Sequence, residues 1–139
     1  MGALDHSIVR LRVFGDHLVP EEITSLLGAA PTEAHLKGEQ IVGANTGKVR
    51  ITKSGRWSIS ATDCSPEDVE GQLFEILNQL TQDMTRWTSV TSRFETDLFC
   101  GIFMGNSNDG LELSAKALLA LGERGISLGL DIYDPTDED

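Results

Sequence analysis

The sequence predicts an α+β fold, a two-layer sandwich of a mainly antiparallel sheet with helices on one face, in a loosely ferredoxin-like order. Three observations carry the prediction. Residues 7–14 alternate Val9, Leu11 and Val13 with Arg10 and Arg12, the period of a strand with one buried face. Residues 65–87 place Val69, Leu73, Ile76, Leu77, Leu80, Met84 and Trp87 on one apolar helical stripe. Residues 126–133 alternate Ile126, Leu128, Leu130 and Ile132 with Ser127, Gly129, Asp131 and Tyr133, directly after a capped amphipathic segment at 114–124.

The remaining elements follow in chain order. Pro20, Glu21 and Glu22 suit the start of a short helix and Gly28 its end. Pro31, Gly38 and Gly43 interrupt residues 29–45, which read as a long loop holding a short strand at 40–42. A hairpin is expected next, with Val49 and Ile51 pointing inward from 48–52, a turn at 53–56, and Trp57 and Ile59 in phase on the return strand 57–61. The long helix is expected to start with Ser65 as N-cap and Pro66 at its first position. Residues 95–104 are apolar on both faces from Leu98 onward, as an interior strand requires, and 106–110 form a turn cluster. Residues 1–133 therefore read as one domain and 134–139 as a flexible acidic tail.

Charge narrows the partners. Eleven Lys plus Arg against 22 Asp plus Glu give a net charge of −11 and a pI near 4.5. A field of that sign repels nucleic acid and anionic lipid, so neither is expected as a partner. Two cysteines, Cys64 and Cys100, are too few for a disulfide framework and point to a reducing cytoplasm. The first residues show no secretory pattern, His6 breaks the myristoylation pattern, and no apolar run approaches the ~20 residues of a membrane span. Monomer and homodimer both remain open.

The segments at 10–28 (RLRVFGDHLVPEEITSLLG), 31–39 (PTEAHLKGE), 55–60 (GRWSIS) and 111–133 (LELSAKALLALGERGISLGLDIY) resemble a bacterial family catalogued as domain of unknown function 4279. The resemblance runs from about residue 8 to residue 133. Its motifs are strand–turn–helix patterns, matched at Asp16, Pro20, Gly28, Pro31, Lys37, Gly38, Trp57 and Asp131. It implies a single small α+β domain of bacterial type, and no activity comes with it.

Catalytic and cofactor motifs fail on spacing. Residues 43–48 (GANTGK) have three residues between the glycines where a phosphate loop has four, and Val49 stands in place of the magnesium-binding hydroxyl. Residues 106–112 miss the calcium-loop glycine by one position, and Ala117 falls where its last acid belongs. His6, His17 and His35 have no metal-ligand spacing, so no metal and no cofactor is expected. Adjacent Asp16 and His17 point apart in an extended segment, and no nucleophile elbow occurs.

Two features survive. Lys48, Arg50, Lys53 and Arg56 gather four of the eleven basic residues within nine positions. The polar side of the sheet should carry Arg10 and Arg12, Ser58 and Ser60, and Ser127, Asp131 and Tyr133. If the two end strands are neighbours, Asp131 pairs with Arg10 or Arg12, a cross-strand contact of about 0.2–1 kcal/mol. The candidate binding residues are Arg10, Arg12, Lys37, Trp57, Asp131 and Tyr133, with no catalytic residue among them. The leading functional expectation is a non-enzymatic protein-interaction module that neutralises a basic protein partner, as immunity proteins do. The alternative is a small-ligand or anion-binding domain using the polar sheet face. An enzyme built from Asp16, His17, His35 and Asp131 is the weakest reading.

Overall fold

The structure is a computed structural model that describes residues 2–135. The last four residues of the expected acidic tail lie outside the described residues. Five strands form the main sheet: β1 (His6–Gly15), β2 (Glu33–His35), β3 (Gly55–Ser60), β4 (Glu95–Phe103) and β5 (Ser127–Tyr133), in the spatial order β2-β3-β1-β4-β5. All neighbours are antiparallel except β4 and β5, which run parallel. That exception has a simple cause, because a helix connects β4 to β5 and returns the chain to its starting end. Two small two-stranded pairs accompany the sheet, a ribbon of Gln40–Val42 with Val49–Ile51 and a parallel pair of Gly2–Ala3 with Asp109–Gly110.

Among the described residues four helices cover one face: α1 (Pro20–Leu27), α2 (Val69–Leu77), α3 (Met84–Thr91) and α4 (Ala115–Arg124). Val9, Leu11 and Val13 of β1, Trp57 and Ile59 of β3, and Leu98, Cys100 and Ile102 of β4 face them and are buried. Trp57 and Trp87 are the largest fully buried side chains, and each indole N–H has a partner, Thr24 Oγ1 at 3.0 Å and the Thr81 carbonyl at 2.8 Å. Inside this apolar layer Ser7 and Gln72 form a closed polar pair. The serine hydroxyl donates to Gln72 Oε1, and Gln72 Nε2 donates to the carbonyls of Ser7 and Thr62, both at 2.9 Å. No buried amide atom there lacks a partner, which is what keeps a glutamine tolerable in a core.

The ends of α1 and α4 fall where the sequence places them. Gly28 and Gly125 close them at φ 89° and 80°, and the Ser114 hydroxyl accepts the Ala117 N–H at 3.1 Å. The long helix expected over 66–87 is instead two. Asp68, not Ser65, caps α2 by accepting the Gly71 N–H, while the Ser65 hydroxyl donates to the Asp5 carbonyl. Asp83 caps α3 through the Thr85 N–H, and Gln82 Nε2 donates to the carbonyls of Leu77 and Leu80 at the break. Short polar side chains at 78–83 compete for the backbone, and a break there keeps Trp87 on the buried side.

Two further expectations are corrected. The segment at 49–51 does not pair with β3; it pairs with 40–42, and Val49 and Ile51 are exposed. Buried Thr52 sets that arrangement, donating to the Leu36 carbonyl at 2.6 Å and accepting the Glu39 N–H at 2.9 Å. The aliphatic side of β5 is not buried either. Ile126 is, but Leu128, Leu130 and Ile132 are 37%, 48% and 58% exposed. Register places them on the helix side of the sheet beside Leu98, Cys100 and Ile102, yet among the described residues β5 is an edge strand and no further helix reaches over it.

Candidate functional site

The face of the sheet away from the helices is open. Residues 29–45 add strand β2 at one edge and then form a groove with α1, lined by Pro20, Glu21, Thr24, Pro31, His35 and Glu39. Glu33, Glu95, Ser127 and Tyr133 on the open face stay exposed. Alternation along β1 and β3 sends Arg10, Arg12, Phe14 and Arg56 to this side, and β4 adds Asp97 and Phe99. Three of the eleven basic residues of a strongly acidic chain thus share a few square nanometres of sheet.

The three guanidinium groups differ in their surroundings. Arg12 is clamped, with Nε donating to Asp97 Oδ1 at 2.9 Å and a terminal nitrogen to Oδ2 at 2.7 Å. Its carbon lies 4.3 Å from the Phe99 ring centre and 5.0 Å from that of Phe14, a cation–π arrangement on two rings. The hydrogen bond to Asp97 raises the Arg12 pKa against the opposing effect of burial. Arg56 sits 5.7 Å from the Phe14 ring centre and has no such clamp. Burial lowers its pKa; the carboxylate of Glu33 opposes that, and the positive charges of Arg10 and Arg12 add to it. The Nε atoms of Arg10 and Arg56 are buried without a hydrogen-bond partner. A depression of about 310 Å³ lies beside Arg12, lined by Phe14, Glu95, Thr96, Asp97 and Ser127.

At the far end of the same face three rings stack across adjacent strands. His6 and Phe103 lie 3.9 Å apart and Phe103 and Tyr133 lie 4.6 Å apart, each pair tilted by 9°. Tyr133 donates its hydroxyl to Asp131 at 2.7 Å, which raises the phenol pKa.

Of the residues chosen from sequence, Arg10 and Arg12 belong to the cluster, and Asp131 and Tyr133 share its face. The expected pairing of Asp131 with an arginine does not form. Strand β4 separates β1 from β5, so Arg12 takes Asp97 and Asp131 takes Tyr133. Lys37 lies on the loop after β2, paired with Asp16 at 3.1 Å. Trp57 is fully buried on the opposite face. Sequence reading named Arg56 only as part of the basic hairpin and left out Phe14, Asp97 and Phe99; the alternation of 55–60 opposite Trp57 and Ile59 already places Arg56 on the arginine side. The four residues of the enzyme reading do not meet. His35 is on β2 and Asp131 on β5, the two outer strands, while Asp16 is engaged by Lys37. Among the described residues no group of three or more His, Cys, Asp or Glu is placed to hold a metal ion. None of their helices is long and apolar enough to cross a membrane.

The family model described as a domain of unknown function, DUF4279, matches residues 5–135. No curated protein and no solved structure matches the chain.

Proposed function

This chain belongs to the DUF4279 family, and we propose that it is a non-enzymatic binding domain whose open sheet face takes an anionic group. The observation that carries the reading is the asymmetry within the arginine cluster. Asp97 satisfies Arg12, whereas Arg10 and Arg56 keep buried Nε donors without a partner. Buried donors left open are costly unless something accepts from them, and a carboxylate or phosphate does so with charge assistance. Phe14 and Phe99 beside the guanidinium groups favour an anion carried on an apolar or planar body. Calorimetry and thermal shift with inorganic phosphate, sulfate and small di- and tricarboxylates test this. A saturable rise in unfolding temperature, lost in Arg10→Ala/Arg56→Ala and kept in Lys37→Ala, is expected. An equal response in wild type and the double variant rejects the site.

A second reading, a contact with a basic protein partner of the immunity kind, is favoured by the acidic shoulder before α2. There the Cys64 thiol is pushed up, first by desolvation and then by Asp68, Glu75, Asp63 and Glu67. Such a contact is long-range and screened, so it should appear at low salt and vanish at high salt. Persistence of a co-purifying partner at high salt argues against it. A cytoplasmic setting fits the two free thiols, Cys64 and Cys100.

A further inference from the structure

Among the described residues strand β5 is an uncovered edge, and we infer that it pairs antiparallel with the same strand of a second copy, with Leu130 on the twofold axis. The two edges of the sheet differ in how they are guarded. Strand β2 has three residues, two of them Glu33 and His35, whereas β5 has seven with no Lys or Pro and only Asp131 charged. Short or charged edges resist pairing, and a long apolar edge invites it.

Backbone direction decides the register. The Tyr133 carbonyl accepts from the Met104 N–H at 3.1 Å, so Tyr133 and the residues in phase with it, Asp131, Gly129 and Ser127, turn their polar groups toward β4. Leu128, Leu130 and Ile132 therefore present N–H and C=O to the free edge. An antiparallel twofold pair centred on Leu130 sets Leu128 against Ile132 of the other copy and Leu130 against itself, and closes about six N–H···O bonds from those residues. The alternation is symmetric about that centre, which an isologous contact requires. The same register puts Asp131 opposite Gly129, so the carboxylates of the two copies avoid each other. On the helix side Leu118 lies on the flank of α4 shared with Leu121, the flank away from the groove that Leu119, Lys116 and Glu123 form with α2. Leu118 would extend the apolar contact above Leu128 and Leu130.

The contact also completes the open face. Ser127 lines the depression beside Arg12, and in this register it stands opposite Tyr133 of the second copy. One subunit's arginine cluster would thus be bordered by the other's Tyr133–Phe103–His6 stack, although the pairing does not depend on anion binding. Size sets the strength. A strand of roughly 23 Å and two layers roughly 20 Å deep bury about 450 Å² per copy, or about 900 Å² together, below the range of tight complexes. A weak, concentration-dependent dimer is what this edge supports. Its charge dependence is distinctive, because two copies of net charge −11 repel each other while the contact is apolar. Added salt should strengthen it, the opposite of a contact driven by charge attraction.

Sedimentation velocity of the full chain over a concentration series, at low and high salt, reads this directly. The expected result is a monomer–dimer equilibrium tightened on the order of threefold by high salt. Leu130→Lys is expected to leave a monomer throughout with an unchanged unfolding temperature, since Leu130 is half exposed in one copy. Leu119→Lys, on the other flank of α4, is expected to dimerise as wild type does. Monomer at every concentration and salt, a dimer that survives Leu130→Lys, or a dimer lost equally in Leu119→Lys overturns the inference. In the first case the edge is left to a strand from a different protein.

Discussion

The two faces of one sheet handle polar groups in opposite ways. On the helix face the polar atoms of Ser7 and Gln72 are closed on each other and on two carbonyls. On the open face Arg12 is closed by Asp97, but Arg10 and Arg56 keep unpartnered buried nitrogens. The strands are the same, and so are their hydrogen bonds. What differs is what can reach an unmatched group. In the helix layer the Ser7 and Gln72 groups are matched internally, with Arg124 Nε a buried exception, whereas on the open face an incoming ligand can accept from an unmatched donor. Stability should accordingly reside on one side and binding on the other.

The largest test is Trp57→Ala. It removes a fully buried indole and should destabilise the fold by about 3–5 kcal/mol in denaturant titration. A loss below about 1 kcal/mol would mean that the helix face is not the seat of stability. Next comes Gln72→Leu, which keeps volume but takes the acceptor of the Ser7 hydroxyl proton and one donor from each of the Ser7 and Thr62 carbonyls, at about 1–3 kcal/mol. On the open face, Asp97→Ala and Arg12→Ala should each cost roughly 1 kcal/mol or less, because the pair is partly solvated, and a double-mutant cycle should show them coupled. Additive effects would show the pair to be a surface coincidence. Arg10→Ala should change stability by less than about 0.5 kcal/mol while abolishing any anion response.

A pH effect comes last. Glu70 on α2 accepts from the Ser114 N–H at 2.7 Å and from its hydroxyl at 2.9 Å, and these bonds hold its pKa below the usual carboxylate value. A carboxyl depressed in the folded state adds stability above its unfolded pKa, and that stability disappears as pH falls through the folded value. Wild type should therefore lose unfolding temperature through the acid range faster than Glu70→Gln. Parallel slopes for the two would sink the assignment. Thiol labelling gives an independent contrast. Burial pushes Cys100 up to about 12, so it should stay unlabelled near neutral pH in the folded chain while Cys64 reacts slowly.

Much of this was legible in the residues. The alternation of 7–14 and 55–60 places Trp57 inside and the arginines outside, and Ser114 with Gly125 delimits α4. The break between α2 and α3 was legible only in part, since Thr81 and Asp83 are good caps but the apolar stripe runs through them. Val49 and Ile51 alternate like a core strand and nevertheless stand in solvent, because period reports a two-sided strand and not what covers it.

The candidate site divides along the same line. By itself the sequence determined which side chains share a face, because that depends only on the two-residue repeat of a strand. Strand order was decided by tertiary structure alone. It put β4 between β1 and β5, giving Arg12 to Asp97 and leaving Asp131 with Tyr133. It also put β5 at an edge, so that a stripe with every local mark of a buried strand is left half exposed. Alternation is set within a few residues, whereas a neighbour is chosen by the packing of segments tens of residues apart.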